Sequence, residues 1–255
     1  MKSPWFIRFP AGPRVSMRLF CFPYAGGHGH LFRGWPARMP HSVQVIGIQA
    51  PGKGARVLET PHASLDGLVD DLLDAILPLL AEGPFCFFGH SNGAMVAFQL
   101  ASRLQSLGLP VPERLLLSAS PAPWTRIFAR PYSAMDNAEF KQVLRELEGT
   151  PAALFDDSEL FELMLPGLRA DFALAESYRH APELMLRMPV TVFYGATDGI
   201  EWERIQAWQE RFCDPVEFRE IAGGHFFIHT HEELLVHEVM GRFGQHPSAW
   251  GRAIA

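Results

Sequence analysis

The chain has 255 residues, of which 48% are hydrophobic and 20% are charged, and its 22 Lys and Arg against 28 Asp and Glu give a net charge of −6. This composition can form a packed core and excludes a disordered chain. The acidic balance, without a run of basic residues, argues against nucleic-acid binding. No signal peptide or membrane-spanning segment is apparent, so we expect a soluble, cytoplasmic protein.

Short β-rich runs alternate with amphipathic helical patterns along the chain. A weak run at Trp5–Phe9 fits an antiparallel edge strand. The six stronger strand predictions are Met17–Tyr24, Val43–Ala50, Phe85–His90, Arg114–Ser120, Val190–Gly195 and Val216–Ala222. Apolar spacing predicts helices at Leu65–Leu80, Asn92–Leu107, Glu201–Phe212 and Glu232–Phe243, the last with a capping box of Thr230 and Glu233. This alternation predicts an α/β fold with a mostly parallel sheet.

The long segment between Ser120 and Val190 breaks this alternation, because it contains no convincing strand. A helix start is predicted at Asp136, which has Glu139 three residues later, and a second near Asp157. We interpret approximately residues 125–185 as a helical insertion within one domain spanning residues 1–255. Its apolar residues either form a second patch of core or line a pocket beneath a lid, and the two roles are compatible.

The three cysteines and the histidine-rich segment HTHEELLVHE do not have the spacing of a disulfide framework or of a metal site. Cys21, Cys86 and Cys213 are odd in number and far apart, so we expect buried thiols in a reducing compartment. His231 and His237 are not four residues apart, as two zinc ligands on one helical face would be. Dinucleotide and Walker motifs are also absent. We therefore expect neither a metal nor a cofactor.

A G-x-S-x-G motif follows the strand predicted at Phe85–His90, where the sequence reads GHSNGA. The motif alone is a weak signal, but its position between an apolar strand and a helix is that of a nucleophile elbow. Such a turn leaves no room for side chains two residues before and after the serine, which accounts for Gly89 and Gly93. We therefore predict that Ser91 is a nucleophile, the alternative being an N-capping serine at a glycine-rich helix start.

A serine nucleophile needs a base, and the base needs an acid that orients it. His225 is the favoured base among eleven histidines, because it follows the last predicted strand in IAGGHFF. Asp198 is the favoured acid, because it follows another strand in YGATDG, and Glu201 is the nearest competitor. The resulting order Ser91, Asp198, His225 is that of α/β-hydrolase enzymes.

An oxyanion hole requires two hydrogen-bond donors beside the nucleophile. One predicted donor is the backbone N–H of Asn92, which directly follows the serine. The other is the backbone N–H of Ala25 in the FPYAGG loop, where glycines allow the backbone to approach a substrate.

Five phrases occur in the order FPYAGG, IQAPGKGAR, GHSNGAMVAFQLA, LPGLRADFALAESY and AGGHFF, from about Leu19 to Phe227. This combination resembles the type II (external, editing) thioesterases of polyketide and nonribosomal peptide pathways. The resemblance implies an α/β-hydrolase fold with a helical lid. It also implies hydrolysis of acyl groups from the phosphopantetheine arm of acyl-carrier or peptidyl-carrier domains.

The resemblance assigns Ser91, Asp198 and His225 to the catalytic triad and Ala25 and Asn92 to the oxyanion hole. Three positions depart from the residues common in the family: Asn92 in place of methionine, His28 in place of serine and Gly199 in place of proline. They bear on the pocket wall, its entrance and the looseness of the Asp198 loop, respectively. They affect the expected acyl group rather than the reaction class.

Carrier domains are acidic, so basic loop residues are candidates for docking. Lys53 and Arg56, with Arg33, could face an incoming arm or could be solvated loop charges. Two other functions fit the same residues. One is a carboxylesterase or lipase-like hydrolase of small oxygen esters, and the other is a non-catalytic hydrolase-fold protein that retains a ligand beneath the lid.

Overall fold

The computed structural model of the chain describes residues 3–126, 130–147, 152–179 and 184–243. Seven strands form one sheet: β1 (Phe6–Arg8), β2 (Met17–Phe22), β3 (Val43–Ile48), β4 (Phe85–His90), β5 (Leu115–Ser118), β6 (Val190–Gly195) and β7 (Glu217–Ile221). Their order across the sheet is β1-β3-β2-β4-β5-β6-β7. This is the predicted α/β architecture of an α/β-hydrolase.

The strand directions follow the prediction. β1 pairs antiparallel with β3, and every other neighbouring pair is parallel. The observed strands end one or two residues earlier than predicted at several carboxyl ends, because the chain there already turns into the loops that carry the site. Pro23 and Tyr24, for example, leave the sheet after β2.

The helices in the described part of the chain are α1 (Leu65–Leu80), α2 (Asn92–Ser106), α3 (Asn137–Glu146), α4 (Ala152–Asp156), α5 (Ser158–Ser177), α6 (Trp202–Gln206), α7 (Phe227–Thr230) and α8 (Glu232–Met240). The capping box at Asp136 is confirmed, since its carboxylate accepts the Ala138 and Glu139 N–H groups at 2.9 Å each. The prediction of a capping box at Thr230 is wrong. Thr230 ends α7, and its hydroxyl instead contacts the His231 ring at 2.9 Å.

The sheet is covered on both faces. Phe87 of β4 belongs to one apolar cluster, together with the buried residues of α1 and α2. Its neighbour Phe88 belongs to a second cluster on the other face, together with Trp35 and the buried residues of α8. The alternation of side chains along a strand thus explains why β4 is apolar at consecutive positions.

Helices α3, α4 and α5 occupy the chain between β5 and β6, where the insertion was predicted. They form an apolar cluster of their own, made of Phe140, Leu144, Leu154, Phe161, Leu165 and Leu168. Part of the predicted 125–185 insertion, namely residues 127–129, 148–151 and 180–183, lies outside the described residues.

Cys21 and Cys86 are buried, and burial raises the pKa of the Cys86 thiol to about 12. The expectation that all three thiols are buried is wrong for Cys213, which is exposed and lies two residues after a 3-10 helix, Ala207–Arg211.

None of the described helices is both long enough and apolar enough to cross a membrane.

Candidate active site

Ser91 occupies a strained turn between β4 and α2. Its backbone has φ 54° and ψ −115°, a conformation that costs a non-glycine residue about 1–3 kcal/mol. A Cβ added at Gly89 would lie 2.2 Å from the Gly93 carbonyl oxygen, and one at Gly93 would lie 2.1 Å from the Phe22 carbonyl oxygen. The two glycines are therefore required by backbone contacts, and the predicted sharp elbow is present.

The structure brings Ser91, Asp198 and His225 together in one hydrogen-bonded chain. His225 Nε2 lies 3.0 Å from Ser91 Oγ, and His225 Nδ1 lies 2.9 Å from Asp198 Oδ2. Because the carboxylate can only accept, Nδ1 carries the proton and Nε2 presents its lone pair to the serine hydroxyl. This is the arrangement in which an imidazole can remove the serine proton.

The surroundings separate Asp198 from its competitor Glu201. The Asp198 side chain is 7% exposed, whereas that of His225 is 31% exposed and faces the cavity. Glu201 is an exposed residue at the start of α6, and no hydrogen bond joins it to His225 within the described residues. Geometry therefore favours Asp198 as the partner of the imidazole.

His90 is a second histidine of the site that the sequence motifs do not single out. Its fully buried ring contacts the His225 carbonyl oxygen through Nε2 and the Ser118 hydroxyl through Nδ1, both at 2.9 Å. Burial holds the pKa of His90 well below its usual value. A neutral His90 that donates from Nε2 therefore fixes the backbone of His225 from behind. Its position directly before Ser91, at a buried strand end, is the only sequence signal for this role.

The loop after β2 forms a tight turn beside Ser91. The Gly27 N–H donates to the Tyr24 carbonyl oxygen at 2.9 Å, and Gly26 has φ 80°, as the third residue of a type II turn requires. Ala25 in this turn and Asn92 line the same cavity as Ser91. Neither backbone N–H donates a hydrogen bond to another group in the described part of the chain. Both amides are thus available to a substrate oxygen.

The Asn92 side chain is engaged in contacts across the site. Its Nδ2 donates to the Asp171 carbonyl oxygen on α5 at 2.7 Å, and its Oδ1 accepts from Arg126 at 3.3 Å. Arg126 also donates to Ser120 Oγ at 3.1 Å and lines the cavity. Burial, with the charge of Arg204 nearby, lowers the pKa of Arg126 to about 10. The sequence gives no signal for Arg126 as a lining residue.

The cavity has a volume of about 680 Å³. One side is formed by the carboxyl ends of the strands, with Ser91, Asp198 and His225. The opposite side is formed by residues of the insertion: Tyr132, Leu144, Leu147 and Phe172. An apolar wall thus lies across the cavity from the serine.

Neither interpretation of Lys53 and Arg56, as docking residues or as solvated loop charges, fits the structure, in which both side chains are paired and largely buried. The Lys53 ammonium forms an ion pair with Asp171, and both side chains are largely buried. Arg56 pairs with Glu59 and lies 4.7 Å above the Trp5 ring. Neither cation is available for docking a partner.

In the part of the chain that the structure describes, no cluster of three or more His, Cys, Asp or Glu could hold a metal ion.

Comparison with known proteins now assigns the family. Residues 17–243 match the Thioesterase domain family. The chain belongs to this thioesterase family. It is 34% identical over 228 residues to gramicidin S biosynthesis protein GrsT of Aneurinibacillus migulanus, covering 89% of each chain. It is also 34% identical over 225 residues to thioesterase PikA5 of Streptomyces venezuelae, covering 88% of this chain and 80% of that protein.

Solved structures give the same result for this thioesterase. The RedJ thioesterase from the prodiginine pathway of Streptomyces coelicolor is 32% identical and superimposes with a TM-score of 0.83, covering 91% of this chain and 94% of RedJ. The α/β-hydrolase fold and the family that the motifs predict are therefore confirmed.

We expect Asp198→Asn to lower the turnover of p-nitrophenyl butyrate by about 10⁴-fold, because an amide would hold His225 in the wrong tautomer. The melting temperature should change little, since the two side chains have nearly the same shape. Glu201→Gln is the matched control and should retain wild-type turnover. Near-normal turnover of Asp198→Asn would show that another group orients the imidazole.

Buried His90 predicts a dependence of stability on pH. Its pKa in the folded protein is lower than its unfolded value of about 6.5, so below that pH the unfolded chain binds more protons. The free energy of unfolding should therefore fall as the pH drops from 6.5 to 5.0 and should not vary through this group above 7.5.

Thermal unfolding of the wild type and of His90→Gln at pH 7.5 and 5.5 measures this contribution. We expect a smaller loss of melting temperature between the two pH values in His90→Gln, whatever its absolute stability. His41→Gln, which replaces an exposed histidine, serves as the control. An equal loss in His90→Gln and in the wild type would contradict the assignment of a neutral buried ring.

Proposed function

We propose that this thioesterase hydrolyses acyl thioesters from the phosphopantetheine arm of acyl-carrier or peptidyl-carrier domains, as an editing enzyme of a polyketide or nonribosomal peptide pathway. The observation that carries the proposal is the hydrogen-bonded chain from Ser91 through His225 to Asp198 at the wall of the 680 Å³ cavity. The pathway context comes from relatives named for gramicidin S biosynthesis and for the prodiginine pathway.

The proposed reaction proceeds through an acyl-enzyme. His225 removes the proton of Ser91 as its Oγ attacks the thioester carbonyl, and the tetrahedral oxyanion is held by the amides of Ala25 and Asn92. The carbon–sulfur bond then breaks, and the pantetheine sulfur leaves as the thiol by taking from His225 the proton that came from Ser91, which returns the imidazole to its neutral form. Asp198 stabilises the imidazolium that exists in between.

Water completes the cycle. His225 takes a proton from a water molecule that attacks the acyl-serine, and returns it to Ser91 Oγ as the carboxylic acid leaves. Serine, imidazole, carboxylate and two amides suffice for both halves of this reaction, so we propose no metal or cofactor beyond the pantetheine of the partner. We assign the reaction to the cytoplasm, where free thiols such as those of Cys21 and Cys86 persist.

We further propose that the α3–α5 insertion acts as a lid over the acyl group. Leu144 of α3 and Phe172 of α5 face the cavity, and Leu147 directly follows α3 on the same side. The chemistry of the triad does not distinguish acyl groups of different length, whereas the depth of an apolar cavity does. The insertion is therefore the part of the chain that sets acyl preference.

Acyl-loaded carrier domains provide the direct test of the reaction. We expect mass spectrometry to show release of the acyl group and recovery of the free pantetheine thiol on addition of the wild type, across a panel of chain lengths. Ser91→Ala should lose about 10⁴-fold or more of this activity. The same enzyme is assayed with p-nitrophenyl butyrate. A higher kcat/KM for the oxygen ester than for every acyl-carrier thioester would identify a carboxylesterase instead.

Leu147→Trp tests the lid. The side chain is 46% exposed and lines the cavity, so a larger ring can be accommodated there without repacking a buried core. We expect the ratio of long-chain to short-chain hydrolysis to fall by about 10-fold, because a few lost methylene contacts are worth roughly that factor. Leu107→Trp, an exposed position at the end of α2, is the control. An equal loss at all chain lengths would exclude a role in acyl selection.

A further inference from the structure

Asp171 is a buried carboxylate that the proposed reaction does not use. It lies on α5, and its side chain is 6% exposed. Two groups bind its Oδ2: the backbone N–H of Gly26, at 2.6 Å, and the ammonium of Lys53. A carboxylate in this environment is stable because both a cation and a backbone donor satisfy it. These partners come from two different loops, which Asp171 ties to α5.

The first loop is the turn that carries Ala25. The Gly26 N–H belongs to the peptide that directly follows Ala25, so the bond to Asp171 fixes the orientation of that peptide. The opposite side of the turn is fixed by the bond from Gly27 N–H to the Tyr24 carbonyl oxygen. The Leu168 side chain, one turn earlier on α5, lies 2.9 Å from where a Cβ of Gly26 would be. Helix α5 thus packs directly on the turn.

The same residue also contacts the second predicted oxyanion donor. The carbonyl oxygen of Asp171 accepts the Asn92 side-chain amide at 2.7 Å. The second loop is held close to α5 as well, because a Cβ at Gly167 would lie 2.5 Å from the Gly52 carbonyl oxygen, beside Lys53. One residue of the insertion therefore contacts both segments that carry the predicted oxyanion donors.

We propose that Asp171 is a positioning residue that holds the oxyanion hole in shape and makes its assembly depend on the docking of α5. The proposal rests on the proposed role of Ser91 and its oxyanion donors. A movement of α5 away from the sheet would break the contacts to Gly26 and to Asn92 together. The enzyme would then stabilise the tetrahedral intermediate only while the insertion covers the cavity.

Steady-state kinetics with p-nitrophenyl butyrate test the positioning role. We expect Asp171→Ala to lower kcat by about 10- to 100-fold with little change in KM, because misplacing a donor by a fraction of an ångström weakens only the transition state. Asp171→Asn should recover part of this loss, since its amide oxygen can still accept the Gly26 N–H. Asp171→Asn also serves as the test variant if Asp171→Ala does not fold.

Inhibition by a trifluoromethyl ketone provides a readout that a merely structural role would not change. This inhibitor forms a tetrahedral adduct on the serine and needs the oxyanion hole, so its Ki should rise in parallel with the loss of kcat/KM. A variant that only reduces the folded fraction would lower the rate but leave Ki unchanged. Unchanged kcat and Ki in Asp171→Ala, at wild-type folded content, would overturn the proposal.

Asp157→Ala is the matched control, because it weakens the same helix without touching the turn. Asp157 is exposed and accepts the Leu160 N–H at 2.9 Å as the N-cap of α5. We expect a lower melting temperature with kcat and Ki close to wild type. An equal rise of Ki in this control would assign the effect to helix stability and contradict the proposal. The butyrate ester needs no carrier domain, so failure to hydrolyse acyl-carrier thioesters would remove the proposed function and leave this test intact.

Discussion

The active site depends on the parallel alignment of four adjacent strands. β4, β5, β6 and β7 are neighbours in the sheet and run in the same direction, so their carboxyl ends meet at one edge. The serine follows β4, the aspartate follows β6 and the histidine follows β7. Side chains that are remote in sequence therefore lie within hydrogen-bond distance, and any shift of register between these strands would separate them.

Polar residues inside this edge give the arrangement its rigidity. His90 joins Ser118, at the end of β5, to the backbone of His225 after β7. These two contacts connect the carboxyl ends of β4, β5 and β7 and leave no ring nitrogen of His90 unsatisfied. A buried imidazole is costly unless it is neutral and fully bonded, and here both conditions are met. The positions of the reacting groups are thus set by the core of the sheet as well as by the loops.

Much of the fold and the central site could be predicted from the sequence, because both leave local signals. Strands buried on two faces are continuous apolar runs, and Ser91 and Asp198 each follow such a run. His225 follows the more exposed β7, and the three residues stand in the chain order of one fold. The antiparallel β1 was also predicted correctly. These features need only short windows of sequence and a knowledge of where parallel strands end.

The contacts that the sequence did not reveal are those between distant segments. Lys53 and Arg56 have the appearance of solvated charges in a glycine-containing loop, yet the partner of Lys53 is Asp171, which lies far along the chain on α5. Arg126 gives no sequence signal either, since its partners are Asn92 and Ser120. The exposure of Cys213 and the end of α7 at Thr230 likewise depend on how a turn is packed rather than on residue type. Tertiary contacts decide such cases, and a local pattern does not contain them.

The backbone conformation of Ser91 lowers the thermodynamic stability of the protein, yet the reaction requires a serine at this position. A glycine could adopt φ 54° and ψ −115° without a steric penalty, so the residue best suited to the turn is one that carries no hydroxyl. Selection for a more heat-resistant protein would favour loss of the nucleophile here, and only the demand for chemistry retains the serine. The surrounding packing must therefore supply the free energy that keeps this residue in place.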